Sequence, residues 1–273
     1  MENSEQLSAA ALIEQSRTVV VKVGSSLLFD RERARPRIAW LHALAEDLAA
    51  LREAGKRVVV VTSGAMAFGW QRLGLTRSDI VTERQAAAAA GQTLLMGAWD
   101  AALGPHDIVA AQLLLSAGDI EAERRGANAR AALETLLAQG AVPVINENDS
   151  VATEELRFGD NDRLSASVAQ LAGADLLILL SDVEGLFAAD PSTDPDAEHL
   201  PWLPAITPEI EAMAGVSRSG LGTGGMATKI AAARFAAENA CATIIASGQA
   251  AHPIERLKGG ARATVVGAKA AGE

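Results

Sequence analysis

The chain has 273 residues, of which 49% are hydrophobic and 21% charged, a composition typical of a globular protein with one large or two modest domains. Its formal net charge of −10 argues against a nucleic-acid partner, which would need a basic face. The single cysteine excludes an intrachain disulfide, and the acidic N-terminus and the lack of a long apolar run predict a soluble, cytoplasmic protein without a secretion signal or membrane span.

Short apolar runs predict the strands, in chain order residues 18–23, 57–62, 108–115, 141–145, 176–180 and 242–246. These runs are almost continuously apolar and rich in β-branched residues, as strands are when both faces of their sheet are covered. A last run, Ala263–Val266, is predicted to be an edge strand.

Helical patterns separate the strands. Between residues 38 and 51, apolar side chains recur every three or four positions, with Pro36 at the start and Gly55 just past the end. Further helices are predicted over residues 83–103, 128–139, 162–172 and 227–240. Strand–helix alternation predicts an α/β sandwich around a mostly parallel sheet. Residues 188–208, rich in Pro and Asp, are predicted to be a surface excursion rather than a linker.

Two predicted strands end in small polar residues. Lys22 lies near the end of the first strand and is followed by Gly-Ser-Ser, and Ser63 follows the second strand. Ligands of α/β proteins bind at the carboxyl ends of strands, although a strand-end lysine can also simply reach solvent. Ser63 is not a hydrolase nucleophile, because the G-x-S-x-G elbow is absent.

The four histidines are scattered and lack metal-ligand spacing.

Two Asn/Asp clusters, residues 146–149 and 159–162, flank a short segment. Asn and Asp favour turns and helix N-caps, and Asp160 or Asn161 is expected to cap the following helix. Two such clusters exceed what capping needs, so their carboxylates and amides are candidates to hold a substrate ammonium group. Ser181 and Asp182, after the strand 176–180, are candidates to contact a nucleotide, or form only a turn.

The stretch SGLGTGGMATK, residues 219–229, is rich in glycine. It formally fits the dinucleotide fingerprint, but no strand precedes it and no acidic residue ends the next strand. A P-loop is excluded because no Gly-Lys-Ser/Thr occurs. What remains is a glycine-rich turn that opens a helix, with Thr228 and Lys229 in its first turn, which together form an anion site.

These motifs resemble the glutamate 5-kinases of the amino acid kinase superfamily, in order and over nearly the whole chain: VVVKVGSSLL, VVVVTSGAMAFG, PVINENDSVA, FGDND, LILLSDVEGLFAADP and SGLGTGGMATK. The resemblance implies an open αβα sandwich and a single amino acid kinase domain over residues 1–273. Its N-terminal lobe, about residues 1–173, would bind glutamate, and its C-terminal lobe, about residues 174–273, would bind ATP. It also implies phosphorylation of the glutamate γ-carboxylate as the first step of proline biosynthesis, feedback inhibition by proline, and a homo-oligomer.

The resemblance also implies roles for single residues. Lys22 and Lys229 would flank the transferred phosphoryl group, and Asp162 would orient both lysines. Glutamate would be bound by Ser63, Asp149 and Asn161. The ATP site would be lined by Lys22, Ser181, Asp182, Thr223, Gly224, Gly225, Met226, Ala227, Thr228 and Lys229. No direct metal ligand is assigned, because Mg²⁺ is expected mainly on the ATP phosphates.

Departures from the family pattern are few. Many relatives carry Gly-Thr-Ser where this chain has Gly24-Ser25-Ser26, and Tyr-Thr where it has Phe187-Ala188. Neither change removes a charge or a phosphate donor. Larger members add a C-terminal PUA domain, for which this sequence is expected to be too short.

The implied chemistry is consistent with these residue types. A carboxylate nucleophile, with a reference pKa of about 4.3, is already ionised near neutral pH and needs no general base. Two lysines and Mg²⁺ would offset the repulsion between two anions. The acidic clusters favour a substrate with a free ammonium over N-acetylglutamate or UMP. Acetylglutamate kinase, carbamate kinase and a non-catalytic amino-acid sensor are the alternatives, and the two lysines argue against the sensor.

Overall fold

The computed structural model describes residues 7–30, 33, 35–151, 161–189, 191, 193–213 and 225–267. These residues form an eight-stranded sheet, made of β1 (Thr18–Val23), β4 (Arg57–Val61), β5 (Ala110–Leu115), β6 (Val142–Glu147), β7 (Leu176–Ser181), β10 (Trp202–Leu203), β11 (Ala242–Ser247) and β12 (Ala263–Val266). Two small hairpins complete the strands: β2 (Phe29–Asp30) with β3 (Arg35–Pro36), and β8 (Leu186–Phe187) with β9 (His199–Leu200). The six predicted strands are confirmed, with small shifts at their ends.

The strand order across the sheet is β10-β12-β11-β7-β1-β4-β6-β5. All neighbouring pairs in it are parallel except β11 and β12, so the mostly parallel sheet is confirmed. The prediction that Ala263–Val266 is an edge strand is wrong, because β10 pairs with its outer side. The predicted surface excursion, residues 188–208, supplies β10, and the carbonyl of Pro201, just before β10, accepts a hydrogen bond from the N–H of Val265.

Helices connect most of the strands of the large sheet along the chain. They are α1 (Ala9–Gln15), α2 (Ser25–Leu28), α3 (Ile38–Glu53), α4 (Ala65–Leu73), α5 (Val81–Leu103), α6 (Ala117–Glu121), α7 (Glu123–Ala138), α8 (Asn161–Ala172), α9 (Pro208–Met213), α10 (Met226–Glu238) and α11 (Pro253–Lys258). The five predicted helices correspond to α3, α5, α7, α8 and α10. No helix in the described part of the chain is both long and apolar enough to cross a membrane.

Two apolar layers flank the sheet. Because side chains of a strand alternate between faces, Val19 and Val21 of β1 join one buried cluster with residues of α3 and α5, and Val20 joins the other with residues of α7, α8 and α10. Full burial of each such side chain contributes roughly 1.5–3 kcal/mol. Helices on both faces explain why the strands are continuously apolar, and they leave only the strand ends free to carry polar groups.

Helices α4 and α5 touch through glycine. A Cβ on Gly69 would lie 1.7 Å from the carbonyl oxygen of Ala87, and one on Gly91 would lie 1.7 Å from that of Ala65. Only a residue without a side chain permits such a close approach of two backbones. Since α4 begins directly after the Ser63 loop, this contact ties that loop to α5.

Candidate active site

The strand ends of the parallel sheet bring the predicted site residues to one edge. Lys22 of β1 pairs with Val61 of β4 on one side and with Leu179 of β7 on the other. Ser63 therefore follows the strand next to Lys22, and Ser181 ends the strand on its opposite side. The carboxyl ends of parallel strands are where α/β proteins bind ligands, because the loops and helix N-termini there are free of the sheet.

A buried carboxylate joins two lysines at this edge. The Nζ of Lys22 lies 2.6 Å from Oδ1 of Asp162, and the Nζ of Lys229 lies 3.2 Å from Oδ2. All three side chains are less than a tenth exposed. The hydroxyl of Thr228 donates a further hydrogen bond of 2.7 Å to Oδ2. Asp162 stands in the first turn of α8, and Lys229 in the first turn of α10.

Lys22, Asp162 and Lys229 form a triad whose charges do not cancel, because two ammonium groups face one carboxylate. Burial alone would raise the pKa of the Asp162 carboxyl, but the Lys22 and Lys229 ammonium groups outweigh it, so the pKa lies below its usual range. Asp162 is therefore ionised and balances only one of the two lysines. The excess positive charge, buried at a helix N-terminus and at strand ends, suits a phosphate anion.

Beside the triad lies a cluster of side-chain amides. The two hydrogens of Asn161 Nδ2 are shared among three acceptors: the carbonyl of Thr62, Oγ of Ser63 at 3.0 Å and Oδ1 of Asn146 at 2.8 Å. The predicted substrate residues Ser63 and Asn161 are thus in direct contact. Because Nδ2 makes all these bonds, the Oδ1 of Asn161 is left as a buried acceptor with no hydrogen-bond partner in the described chain.

Asp149 offers a second buried acceptor. It begins a 3-10 turn, Asp149–Val151, and its Oδ1 also has no hydrogen-bond partner within the described ranges. Burial raises the pKa of Asp149 to about 6, and the positive charge of Arg84 moderates this rise. Asp149 lines a cavity of about 240 Å³, between α5 and the ends of β5 and β6. A buried ionised acid beside an empty volume favours a small cationic group there.

The predicted ATP residues lie at the ends of β7 and α10. Ser181 ends β7 and is buried, and its carbonyl accepts a hydrogen bond of 2.7 Å from the N–H of Gly248, whereas Asp182 is exposed. Gly225 is the N-cap residue of α10, and Met226, Ala227, Thr228 and Lys229 follow it in the first turn. Thr223 and Gly224, like the predicted cap residue Asp160, lie outside the described residues.

Sequence reasoning missed part of the amide cluster. The Nδ2 of Asn146 donates to Oε1 of Gln92 at 2.8 Å, and the Nε2 of Gln92 donates to Oε1 of Gln112 at 3.1 Å. Gln92 and the neighbouring Arg84 both belong to α5, which was predicted only as an alanine-rich helix. A polar residue next to an alanine run was the available signal, since a helix face that packs on a core rarely carries an amide without a partner.

Two other kinds of site, a protein-held metal and a cysteine nucleophile, were considered among the described residues. The described residues contain no cluster of three or more His, Cys, Asp or Glu that could hold a metal, and the Asp162 carboxylate is already engaged by lysines. Burial, with the charge of Asp175, raises the pKa of the Cys241 thiol to about 12, which disfavours its nucleophilic thiolate form. The described arrangement of Lys22, Asp162 and Lys229 therefore offers a ligand charge and position.

Comparison with known proteins agrees with this geometry. The sequence profile described as "Amino acid kinase family" matches residues 17–247. The chain is 55% identical over 260 residues to the glutamate 5-kinase of Caulobacter vibrioides (strain NA1000 / CB15N), covering 94% of this chain and 69% of that protein. It is 51% identical over 255 residues to the glutamate 5-kinase of Ruegeria sp. (strain TM1040), covering 93% and 69%. The chain thus spans about two thirds of the length of these relatives.

Solved structures share the fold at low identity. The UMP kinase from Ureaplasma parvum superposes with a TM-score of 0.63 at 14% identity, covering 92% of this chain and 99% of that one. An isopentenyl phosphate kinase superposes with a TM-score of 0.60 at 19% identity, covering 91% and 99%. The αβα architecture, the profile match and the identity to curated relatives agree: the chain belongs to the amino acid kinase family, and within it to the glutamate 5-kinases.

Proposed function

We propose that the chain transfers the terminal phosphoryl group of ATP to the γ-carboxylate of L-glutamate, giving γ-glutamyl phosphate and ADP, as the first step of proline biosynthesis. One observation carries the proposal beyond the identity to glutamate 5-kinases. Asn161 and Asp162 are consecutive residues at the start of α8: the first belongs to the amide cluster and the second to the lysine triad. A site for an amino acid and a site for a phosphoryl group therefore adjoin.

The residues account for the transfer as follows. An oxygen of the ionised γ-carboxylate attacks the γ-phosphorus of ATP, the bond from that phosphorus to the β–γ bridging oxygen breaks, and its electrons leave with ADP. No proton moves, so no general base is required. Lys22 and Lys229 would stabilise the negative charge on the transferred group and on the leaving oxygen, and Asp162 would hold both ammonium groups in place.

Magnesium would enter as part of the MgATP substrate. The described residues offer no cluster of carboxylates that would hold it independently of the nucleotide, and Mg²⁺ is commonly bound through substrate phosphates. When bound, it would offset part of the phosphate charge. The chain's own contribution is the pair of lysines.

The polar end of glutamate would lie in the cavity beside Asp149. Asp149 Oδ1 and Asn161 Oδ1 are buried acceptors, and the α-ammonium of a free amino acid supplies donors of matching charge. N-acetylglutamate has no such cation, which favours glutamate over it. Ser63 would contribute a hydroxyl, because it lies 3.0 Å from Asn161.

With this function we propose that one lobe binds glutamate and the other binds ATP. The residues assigned to glutamate, Ser63, Asp149 and Asn161, fall in the N-terminal lobe, about residues 1–173. Those assigned to ATP, apart from Lys22, fall in the C-terminal lobe, about residues 174–273. Lys22 crosses from the first lobe because β1 is the strand beside β7. Thr223 and Gly224 stay predictions, as do a homo-oligomeric state and a cytoplasmic location.

Proline is proposed as a feedback inhibitor that competes with glutamate. Both are α-amino acids, so the ammonium of proline can use the same two acceptors. The cavity of about 240 Å³ has room for either molecule. Proline should then raise the apparent KM for glutamate without changing that for ATP.

The test is ATP-dependent hydroxamate formation from glutamate and hydroxylamine, which traps the acyl phosphate, with and without proline. Glutamate should give hydroxamate, whereas N-acetylglutamate should not, and the chain should not form ATP and carbamate from ADP and carbamoyl phosphate. Absence of ATP-dependent hydroxamate from the folded chain would overturn the proposed activity. Retained amino-acid binding in that case would point to a non-catalytic sensor.

A further inference from the structure

Gln92, on α5, makes a hydrogen bond to the amide cluster formed by Asn146 and Asn161. It is 9% exposed, and both ends of its side chain are used. Its Oε1 accepts from Asn146 Nδ2 at 2.8 Å, and its Nε2 donates to Gln112 Oε1 at 3.1 Å. The hydrogen bonds thus run as a chain from Gln112 on the edge strand, through Gln92 and Asn146, to Asn161.

The chain of amides has a direction. Each amide has one donor end and one acceptor end, so fixing one orientation fixes the next. Asn146 presents Nδ2 to Gln92 and Oδ1 to Asn161, and the N–H of Glu147, which can only donate, bonds to the same Oδ1. Asn161 presents Nδ2 to Asn146 and to the Thr62 carbonyl, which can only accept, and its Oδ1 is the end that remains.

We infer that Gln92 is a positioning residue for the amino-acid substrate: through Asn146 it adds to the hold of the Thr62 carbonyl on Asn161 Nδ2, so that the oxygen of Asn161, not its nitrogen, is available to the substrate ammonium. The inference rests on the proposed function. If the amide of Asn161 were free to turn over, it would offer donors to a cation for part of the time. Gln112 acts as the outer anchor, because it accepts the other end of Gln92.

Two other roles for Gln92 must be separated from this one. It also lines the cavity, so it could touch the substrate directly. It is buried between α5 and the sheet, so it could serve only for packing. A purely structural role would change the KM for both substrates and the stability of the protein together. A positioning role would change only the KM for the amino acid, and it would require Asn146.

The kinetic test uses Gln92→Met, which keeps the length of the side chain and removes both polar ends. The KM for glutamate should rise about tenfold, the size expected when one buried hydrogen bond is lost. The KM for ATP should stay unchanged and kcat should fall by less than the KM rises. The matched control is Leu94→Met, which changes an exposed residue of the same helix outside the cavity lining and should leave all three values unchanged.

A double-mutant comparison tests whether Gln92 acts through Asn146. In an Asn146→Ala background, Gln92→Met should cause no further rise in the KM for glutamate. A full tenfold rise in that background would mean direct substrate contact and would overturn the inference, as would an equal rise in the KM for ATP. If Gln92→Met does not fold, Gln112→Leu, at an exposed position, should raise the KM for glutamate by a smaller factor.

A third measurement does not depend on turnover. Solvent exchange of the Asn161 side-chain amide protons, followed by NMR, should be slow in the parent protein and in Leu94→Met, and faster in Gln92→Met. Unchanged exchange would overturn the inference even if the parent enzyme used another substrate. Parent protein that makes no glutamyl hydroxamate, yet shows faster exchange in Gln92→Met, would instead overturn only the proposed function and support the positioning role.

Discussion

Lys22 and Lys229, which lie near opposite ends of the sequence, are held by the two oxygens of one carboxylate. Lys22 Nζ is 2.6 Å from Oδ1 of Asp162, and Lys229 Nζ is 3.2 Å from Oδ2. The three residues belong to β1, α8 and α10. Two ammonium groups that would repel each other are thus kept close together, which provides concentrated positive charge for a phosphoryl group in transfer.

Replacing either lysine should remove turnover and preserve the fold. Lys229→Met, or Lys22→Met, leaves Asp162 paired with the remaining lysine, so no charge is stranded. The value of kcat should fall by about 10²–10³, as on loss of an oxyanion donor. Steady-state ADP release measures this, and thermal unfolding checks the fold. Lys258→Met, at an exposed lysine of α11, should retain normal rates. Normal turnover in Lys229→Met would contradict its assigned role.

Removing the carboxylate should have a different effect, on stability. Asp162→Asn leaves two buried ammonium groups without a counter-charge, so the free energy of unfolding should fall by about 3–5 kcal/mol. Urea denaturation measures it. The control is Glu184→Gln, which breaks the exposed ion pair with Arg262 and should cost no more than about 1 kcal/mol. Equal losses in the two variants would contradict the importance of the buried triad.

The same triad makes stability depend on pH in acid. The folded pKa of Asp162 lies below its ordinary value of 3.8, so the unfolded chain binds the proton more readily. The contribution of Asp162 is therefore fully present above that value and is lost as the pH falls below it toward the folded pKa. The unfolding free energy of the parent protein should decline in this acid range, and the part due to Asp162 should be missing in Asp162→Asn.

Glutamate binding should depend on the ionisation of Asp149. The pKa of this buried carboxyl is raised to about 6, so below that pH it is protonated and can no longer pair an ammonium group. The value of kcat/KM for glutamate should fall as the pH drops through about 6, while the KM for ATP changes little. Asp149→Asn should raise the KM for glutamate at pH 8 and flatten this acidic limb. A KM change confined to ATP would contradict the assignment.

The glycine contact between α4 and α5 should be sensitive to a single methyl group. Gly91→Ala drives a Cβ into the carbonyl of Ala65, which should destabilise the protein by about 1–3 kcal/mol or more, since both partners are backbone. Gly97→Ala, on the same helix with no atom within 4 Å of the new Cβ, should instead stabilise by about 0.5–1 kcal/mol. Thermal and urea unfolding compare them. A neutral Gly91→Ala would contradict the close approach.

Local patterns were enough to predict the longer strands and most of the longer helices. The run Leu176–Ser181 is apolar at nearly every position, and this identifies a buried strand without knowledge of its neighbours. Helix α4 was not predicted, because it is short and contains Gly69, so its stability comes from packing on α5 rather than from propensity. The strand Ala263–Val266 was found, but its place in the sheet was not, because β10 comes from a remote Pro-rich segment.

The sequence by itself determined the order of strands and helices, and the family to which the motifs point, because apolar periodicity and strand-end residues are local signals. Only the tertiary structure decided which polar groups meet. It brought Lys22 and Lys229 into ion pairs with Asp162. It also connected Gln92, on an alanine-rich helix, to Asn161 through Asn146. Contacts between residues far apart in the chain depend on strand order and helix packing, and no window of sequence contains that information.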